Sequence, residues 1–366
     1  MQVLVVGAGV VGCAVAYELA ARGADVQMLD ARRSGEGASQ AAAGILAPHI
    51  EGHSPALLQL GVRSLDLYDA FIERVSRDSG LPIDYRRIGT LEVALNEEQA
   101  HHLRTTAEKY NATNVEHQYL EPVAARVLEP GLAPTATGAL LIPNHGYVQS
   151  RALVHALEVA ARQKGVSVKS TAKVETVEQR HDRVQAYLSG GSTIEVDALV
   201  LATGSWSGRV VINQAMPAPV KPIRGQLLNL ICNTPSAAHV LWGPDCYLVP
   251  LQDGTVLVGA TVEDVGFDER STAAAVQHLL QAAQAVLPAI KDALLRDVRV
   301  GLRPVSPDEL PLVGPSCELP NVIYATGHYR NGVLLAPFTA KIVADFLLEN
   351  AKAPELMLTT PSRFGL

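Results

Sequence analysis

The chain has 366 residues, 48% of them hydrophobic, which suits two ordinary globular domains or one large one and excludes a disordered chain. A formal net charge of −7 with no basic run excludes a nucleic-acid footprint, and four widely spaced cysteines (Cys13, Cys232, Cys246, Cys317) exclude a disulfide framework or a zinc site. No uninterrupted apolar run reaches the roughly 18 residues of a membrane span, and no basic leader precedes the first strand, so a cytoplasmic protein without an integral membrane segment is expected.

Residues 2 to 30 read as strand (VLVVGAG), glycine turn, helix (VVGCAVAYELAARG) and strand (ADVQMLD). Gly7, Gly9 and Gly12 have the dinucleotide-binding spacing: the first makes the turn, the second admits a pyrophosphate, the third lets helix pack on strand. Asp30, ending the second strand, can bond ribose hydroxyls. Residues 33 to 48 (RSGEGASQAAAGILAP) are small, a composition that lets backbone approach a ligand. A helix follows from Ser54 to about Ser79.

Residues 85 to 142 alternate short strands (GTLEVAL, GALLIP) with helical stretches near 96 to 110 and 121 to 128, and read as an inserted domain. A helix over 151 to 165 leads to strands VSVKS, VQAYLS and TIEVDALVLATG, the last taken as one apolar run returning to the nucleotide-binding sheet. A second excursion over 220 to 296 carries strands GQLLNLIC, YLVPLQ and TVLVGATV and a helix near 272 to 287. Segments 298 to 304 and 321 to 326 read as strands that rejoin the first sheet, before a final helix from Gly332 to Glu349.

The expected fold class is α/β plus α+β: a Rossmann-like dinucleotide-binding domain (1–84, 143–215, 297–366) interleaved with a substrate domain of mixed or antiparallel sheet (85–142, 216–296). The glycine fingerprint does not separate NAD from FAD. Three later pieces favour a flavin covered along its length: the small residues 37 to 44, the strand-to-turn ALVLATGSWSG (198 to 208), and GHYRNG (327 to 332).

With VLVVGAGVVG…LD, SQAAAGILAP, PIRGQLL, CYLVP…VGATVED, GLRPVSPDELPLVG and TGHYRNGVLLAP in this order, the chain resembles the D-amino-acid oxidase superfamily of FAD-dependent amine oxidoreductases. Within it the resemblance is to the glutathione-reductase-like fold of the glycine-oxidase branch, which serves the thiamine pathway. It implies oxidative deamination of glycine, sarcosine or a small D-amino acid. The α C–H leaves as hydride to flavin N5, the imino acid hydrolyses to a 2-oxo acid, and dioxygen takes the electrons to give hydrogen peroxide. A dehydrogenase passing electrons to a quinone or respiratory carrier stays open as an alternative, and a non-catalytic FAD-binding subunit is disfavoured by an intact carboxylate clamp. Homo-oligomerisation also stays open.

By position, the resemblance makes Arg303 the substrate carboxylate clamp, where a planar guanidinium fork matches two oxygens. Tyr247 and Arg330 join it as catalytic-site residues, and Val262 and His328 line the substrate pocket. The competing structural readings are a salt bridge for Arg303, core packing for Tyr247 and Val262, a helix-start ion pair for Arg330 and a structural hydrogen bond for His328. The implied cofactor-binding residues are Gly7, Gly9, Val10, Val11, Gly12, Asp30 and Ala31, then Ser39, Ala42, Ala43, Gly44 and Val174. Thr203, Gly204, Trp206, Gly301, His328, Arg330, Asn331, Gly332, Val333 and Leu334 complete them. The helix beginning at Gly332 would aim its positive end at the flavin. Val300 and Gly301 stand where sarcosine-oxidase relatives carry the attaching cysteine, so FAD is expected to be non-covalent; no metal is expected. Asp30 replaces the Glu frequent in relatives, shortening the reach to the ribose.

Overall fold

The computed structural model describes residues 1–366 except His53, Gln214, residues 233–236 and Lys352. The unbroken apolar run of the first strand, Gln2–Val6, reflects a position with both faces covered. It lies inside a six-stranded sheet whose spatial order is Leu312–Pro315, Val322–Thr326, Ala198–Leu201, Gln2–Val6, Asp25–Leu29 and Ser167–Lys169. All neighbours in it are parallel apart from the antiparallel pair at the Leu312–Pro315 edge.

The first helix, Val10–Ala21, is apolar on every side, and it is buried between helices Ser150–Gln163 and Gly332–Glu349. Helix Pro55–Ser79 keeps one apolar stripe, with Ser54 accepting from the Leu57 N–H at 3.2 Å at its start and Gly80, at φ +70°, ending it. From that stripe the Tyr68 hydroxyl donates to the Val333 carbonyl (2.5 Å) and the Ser64 hydroxyl to the Leu334 carbonyl (2.6 Å), fixing the start of the last helix. Residues 329–349 are long and apolar enough to cross a membrane by composition, yet 67% of that window is buried inside the protein, against the first and third helices of the chain.

The second large sheet has eight strands: Leu294–Val305, Lys221–Ile231, Thr255–Gly259, Tyr247–Pro250, Val240–Trp242, Thr90–Ala94, Gly138–Ile142 and Gln118–Leu120, antiparallel except where Val240–Trp242 meets Thr90–Ala94. It has its own core, built around Leu91, Leu228, Leu248, Val258 and Leu279. A small sheet of Ile45–Leu46, Gly146–Val148 and Tyr85–Arg86 joins segments from both parts of the chain.

Two expectations are corrected, and two strands are added. The strand at 298 to 304 does not rejoin the first sheet; it is the middle of Leu294–Val305 and pairs along the whole of Lys221–Ile231. The run TIEVDALVL is two strands in different sheets, because the Asp197 carboxylate turns to accept the Gln2 N–H at 2.7 Å and breaks the run. Strands Val174–Arg180 and Leu312–Pro315 were not expected; the first mixes charged with apolar residues and the second is short and ends in proline.

Candidate active site

A cavity of about 640 Å³ opens at the carboxyl ends of the parallel strands, where Val6, Ala202 and Thr326 meet Gly225, Gly259 and Arg303 of the eight-stranded sheet. Open α/β sheets bind ligands at this crevice.

At one end lies the glycine turn. Gly7 sits at φ +109° and donates to the Leu29 carbonyl at 2.7 Å, and a Cβ there would run into the Ala202 carbonyl. Gly9 precedes the first helix without a side-chain cap of its own, and the Val10 N–H donates to Ser39 Oγ at 3.0 Å. Asp30 accepts from the Ala8 N–H (2.6 Å) on one oxygen and the Arg32 N–H (2.7 Å) on the other. Burial raises its pKa and those two amides pull it back. Each oxygen keeps a lone pair, so Asp30 both shapes the turn and can still accept from a ribose hydroxyl.

Of the expected cofactor residues, Val10, Val11, Ala31, Ser39, Ala42, Ala43, Gly44, Val174, Thr203, Gly204, Trp206 and Gly301 line the same cavity as Gly7, Gly9 and Asp30. His328, Arg330 and Asn331, from the turn before helix Gly332–Glu349, and Gly332 and Val333, at its start, line it too. Two do not. Gly12 lies beneath the turn, where a Cβ would strike the Gly7 carbonyl, so it serves packing; Leu334 is buried in the helical core beside Gly61. The Asn331 side chain does not cap the last helix, so its first-turn N–H groups face the cavity end without a side-chain partner at that position.

The wall near Asp30 contains residues the sequence reading missed. The Arg32 guanidinium lies 4.5 Å over the Trp206 ring and pairs through both terminal nitrogens with Glu269 (2.9 and 2.7 Å). Phe267 touches Trp206 (centroids 5.7 Å apart) and carries the Arg209 guanidinium at 3.5 Å. Arg32 could have been found beside Asp30; nothing local marks Glu269 or Phe267, which come from the loop after Thr255–Gly259.

At the other end, Arg303 and Tyr247 reach the cavity across glycines. Gly225 stands opposite Gly301 in the sheet, and a Cβ on it would occupy the place of the Arg303 guanidinium. Gly259 stands opposite Tyr247, and a Cβ there would meet the phenol. Arg303 donates once to the Thr261 carbonyl (2.8 Å), leaving the rest of its fork for a ligand. It makes no ion pair among the described residues, against the salt-bridge reading. Burial pushes the Tyr247 phenol up to about 12, Arg303 pulling it down and Glu51 pushing it up, so it is a neutral donor.

Arg330 is exposed, its guanidinium 5.2 Å over the Tyr329 ring. Val262 is 52% exposed at the rim, against the core reading. His328 is buried, bonds Thr339 Oγ1 at 3.0 Å, and is held by burial at about 4, so it is a neutral structural group. Glu51, which the sequence reading passed over, also lines the cavity. Cys246 lines it too, but burial pushes its thiol up to about 12, away from the reactive thiolate.

The small, glycine-lined cradle, the uncapped helix starts and the acid at the strand end fit an elongated flavin dinucleotide. Comparisons agree. The DAO family of FAD dependent oxidoreductases matches residues 2–346. The bifunctional protein ThiO/ThiG of Synechocystis sp. is 35% identical over 99% of this chain, which spans only 54% of that protein, about half its length. Glycine oxidase of Geobacillus kaustophilus is 32% identical over 97% of this chain and 95% of its own. The crystal structure of glycine oxidase from Geobacillus kaustophilus superposes with a TM-score of 0.92 at 31% identity, covering 98% of both chains. With the fingerprint, the cradle and a match over nearly the whole chain in agreement, this protein belongs to the DAO family of FAD dependent oxidoreductases.

Proposed function

We propose that this protein oxidises the C–N bond of glycine or another small amino acid, such as sarcosine or a small D-amino acid, releasing a 2-oxo acid, ammonia or amine, and hydrogen peroxide. The observation that carries this reading is the convergence of the Arg303 fork and the neutral Tyr247 phenol, each laid over a backbone glycine, on the cavity that also contains the dinucleotide cradle. FAD, which the Gly7–Gly9 turn, Asp30 and Ser39 would hold without a covalent bond, would supply the hydride acceptor and the route for the electron pair to dioxygen. Arg303 clamps the substrate carboxylate and Tyr247 donates a hydrogen bond to it, which fixes the α-carbon relative to the cofactor. Arg330 adds positive charge beside the same carboxylate, and Val262 limits side-chain size at the rim. In this reading 85–142 and 216–305 form the substrate-binding part, the rest binds FAD, and the reaction runs in the cytoplasm as a step toward thiamine.

The test is a substrate screen with paired peroxide and dye-reduction readouts on the flavin-loaded protein. Flavin bleaching by glycine or sarcosine with peroxide formed in air is expected. Bleaching with dye reduction and no peroxide would move the reading to a dehydrogenase, and no bleaching by any small amino acid would overturn it.

A further inference from the structure

Along one edge, strand Lys221–Ile231 changes register against its neighbour. Leu227 stands opposite Gly259, the last residue of strand Thr255–Gly259, and Arg224 stands opposite Glu263 beyond it. Three residues, 260 to 262, therefore face two, 225 and 226, and the extra residue bends the chain where Ala260 and Val262 line the cavity.

Arg224 and Glu263 exchange both backbone hydrogen bonds (2.8 and 3.0 Å). In a regular antiparallel ladder Gln226 and Thr261, two residues along on each segment, would do the same. Only half of that pair is made. The Thr261 N–H donates to the Gln226 carbonyl at 3.3 Å, whereas the Gln226 N–H donates to Thr261 Oγ1 at 3.0 Å. The hydroxyl has taken the place of the carbonyl in the ladder, and the freed Thr261 carbonyl accepts from Arg303 Nη1 at 2.8 Å.

The side chains around it fix this exchange. Thr261 Oγ1 donates to Glu263 Oε1 at 2.6 Å, which leaves its lone pairs for the Gln226 N–H. Gln226 Nε2 donates to the same Glu263 oxygen (2.8 Å) and Arg224 Nη2 to the other (2.5 Å), and Gln226 and Arg224 are 1% and 5% exposed. We propose, on the reading that Arg303 clamps the substrate carboxylate, that Thr261 is a positioning residue for that clamp: its hydroxyl stands in for its carbonyl so that the carbonyl can hold the guanidinium. Without the hydroxyl the buried Gln226 N–H has no acceptor, and an unpaired buried donor is costly, so the carbonyl turns back into the ladder and Arg303 loses its anchor.

The experiment compares Thr261→Val, which keeps the shape and removes the hydroxyl, and Thr261→Ser, which keeps the hydroxyl, with the parent protein, all flavin-loaded. Glycine affinity is taken from anaerobic flavin reduction by rapid mixing, and acetate affinity from the perturbation of the flavin spectrum. Both ligands are expected to bind roughly tenfold or more weakly to Thr261→Val at unchanged flavin content, and both affinities to recover in Thr261→Ser. Parent-like affinities in Thr261→Val would overturn the proposal. Equal losses in the valine and serine variants would overturn it too, since they would assign the effect to the methyl group. Thr261→Ala takes the place of the valine variant against serine should the latter fold and the former not. A parent protein bleached by no small amino acid would instead overturn the functional reading, while the acetate affinities would still test the hold on Arg303, so the two failures are distinct.

Discussion

Gly225→Ala tests whether Arg303 holds the substrate, without touching Arg303. The residue lies within strand Lys221–Ile231, and its φ is not in the left-handed region, so alanine fits the backbone. Its new methyl group would take the space of the Arg303 guanidinium, the far end of a flexible side chain that must swing aside. A charge-assisted hydrogen bond is worth about 1.5–3 kcal/mol. Losing the aligned fork should therefore raise KM for glycine roughly ten- to hundredfold, at about 1.4 kcal/mol per factor of ten. Arg303→Lys, a point charge in place of a fork, should raise it in the same direction. The assay is steady-state peroxide formation, with flavin content and thermal unfolding checked in parallel. An unchanged KM in a folded, flavin-loaded Gly225→Ala protein would refute the role given to Arg303.

Two further outcomes are expected. Glu269→Gln removes the anion that holds Arg32 against Trp206, and should speed FAD release in a fluorescence-monitored dissociation assay by a few-fold, since a part-exposed pair is worth roughly 0.2–1 kcal/mol; an unchanged release rate would detach that loop from cofactor retention. His328 is held by burial at about 4 against about 6.5 unfolded, so the neutral form is favoured in the folded state. Its contribution is fully present above the unfolded value and is lost as pH falls toward 4, on the order of 3 kcal/mol at the limit. His328→Asn should therefore flatten the loss of thermal stability on acidification, although buried His145 and half-buried His49, shifted the same way, keep part of that slope. An identical acid slope in the variant would refute it.

What could be read from the sequence was what is local. The Gly7, Gly9, Asp30 spacing is one βαβ unit, and the helix starts at Ser54 and Gly332 and the helix end near Ser79 fall where the structure has them. Arg303 and Tyr247 were reached through resemblance, because neither stands out from an ordinary strand residue. What escaped depends on register between distant segments. Gly225 and Gly259 become slots only once Lys221–Ile231 and Thr255–Gly259 are paired with their neighbours. Glu269 meets Arg32 only after the loop beyond Thr255–Gly259 has crossed to the first sheet. Asp197 hid a change of sheet because its carboxylate bonds the Gln2 backbone, which no apolar pattern signals.

The burial of helix Gly332–Glu349 against the first helix has a consequence for how the chain matures. Gln2–Val6 is paired with Ala198–Leu201 on one side, and Val10–Ala21 is covered by a helix that emerges from the ribosome more than 300 residues later. The Gln2–Ala21 unit is made long before, yet cannot close its core until helix Gly332–Glu349 arrives. Through most of synthesis the nascent chain therefore carries an open apolar helix, and long-range contacts of this kind slow folding. Chains stopped before residue 332 should leave that face bare and bind chaperones, whatever the state of the eight-stranded sheet, whose strands are complete by Val305.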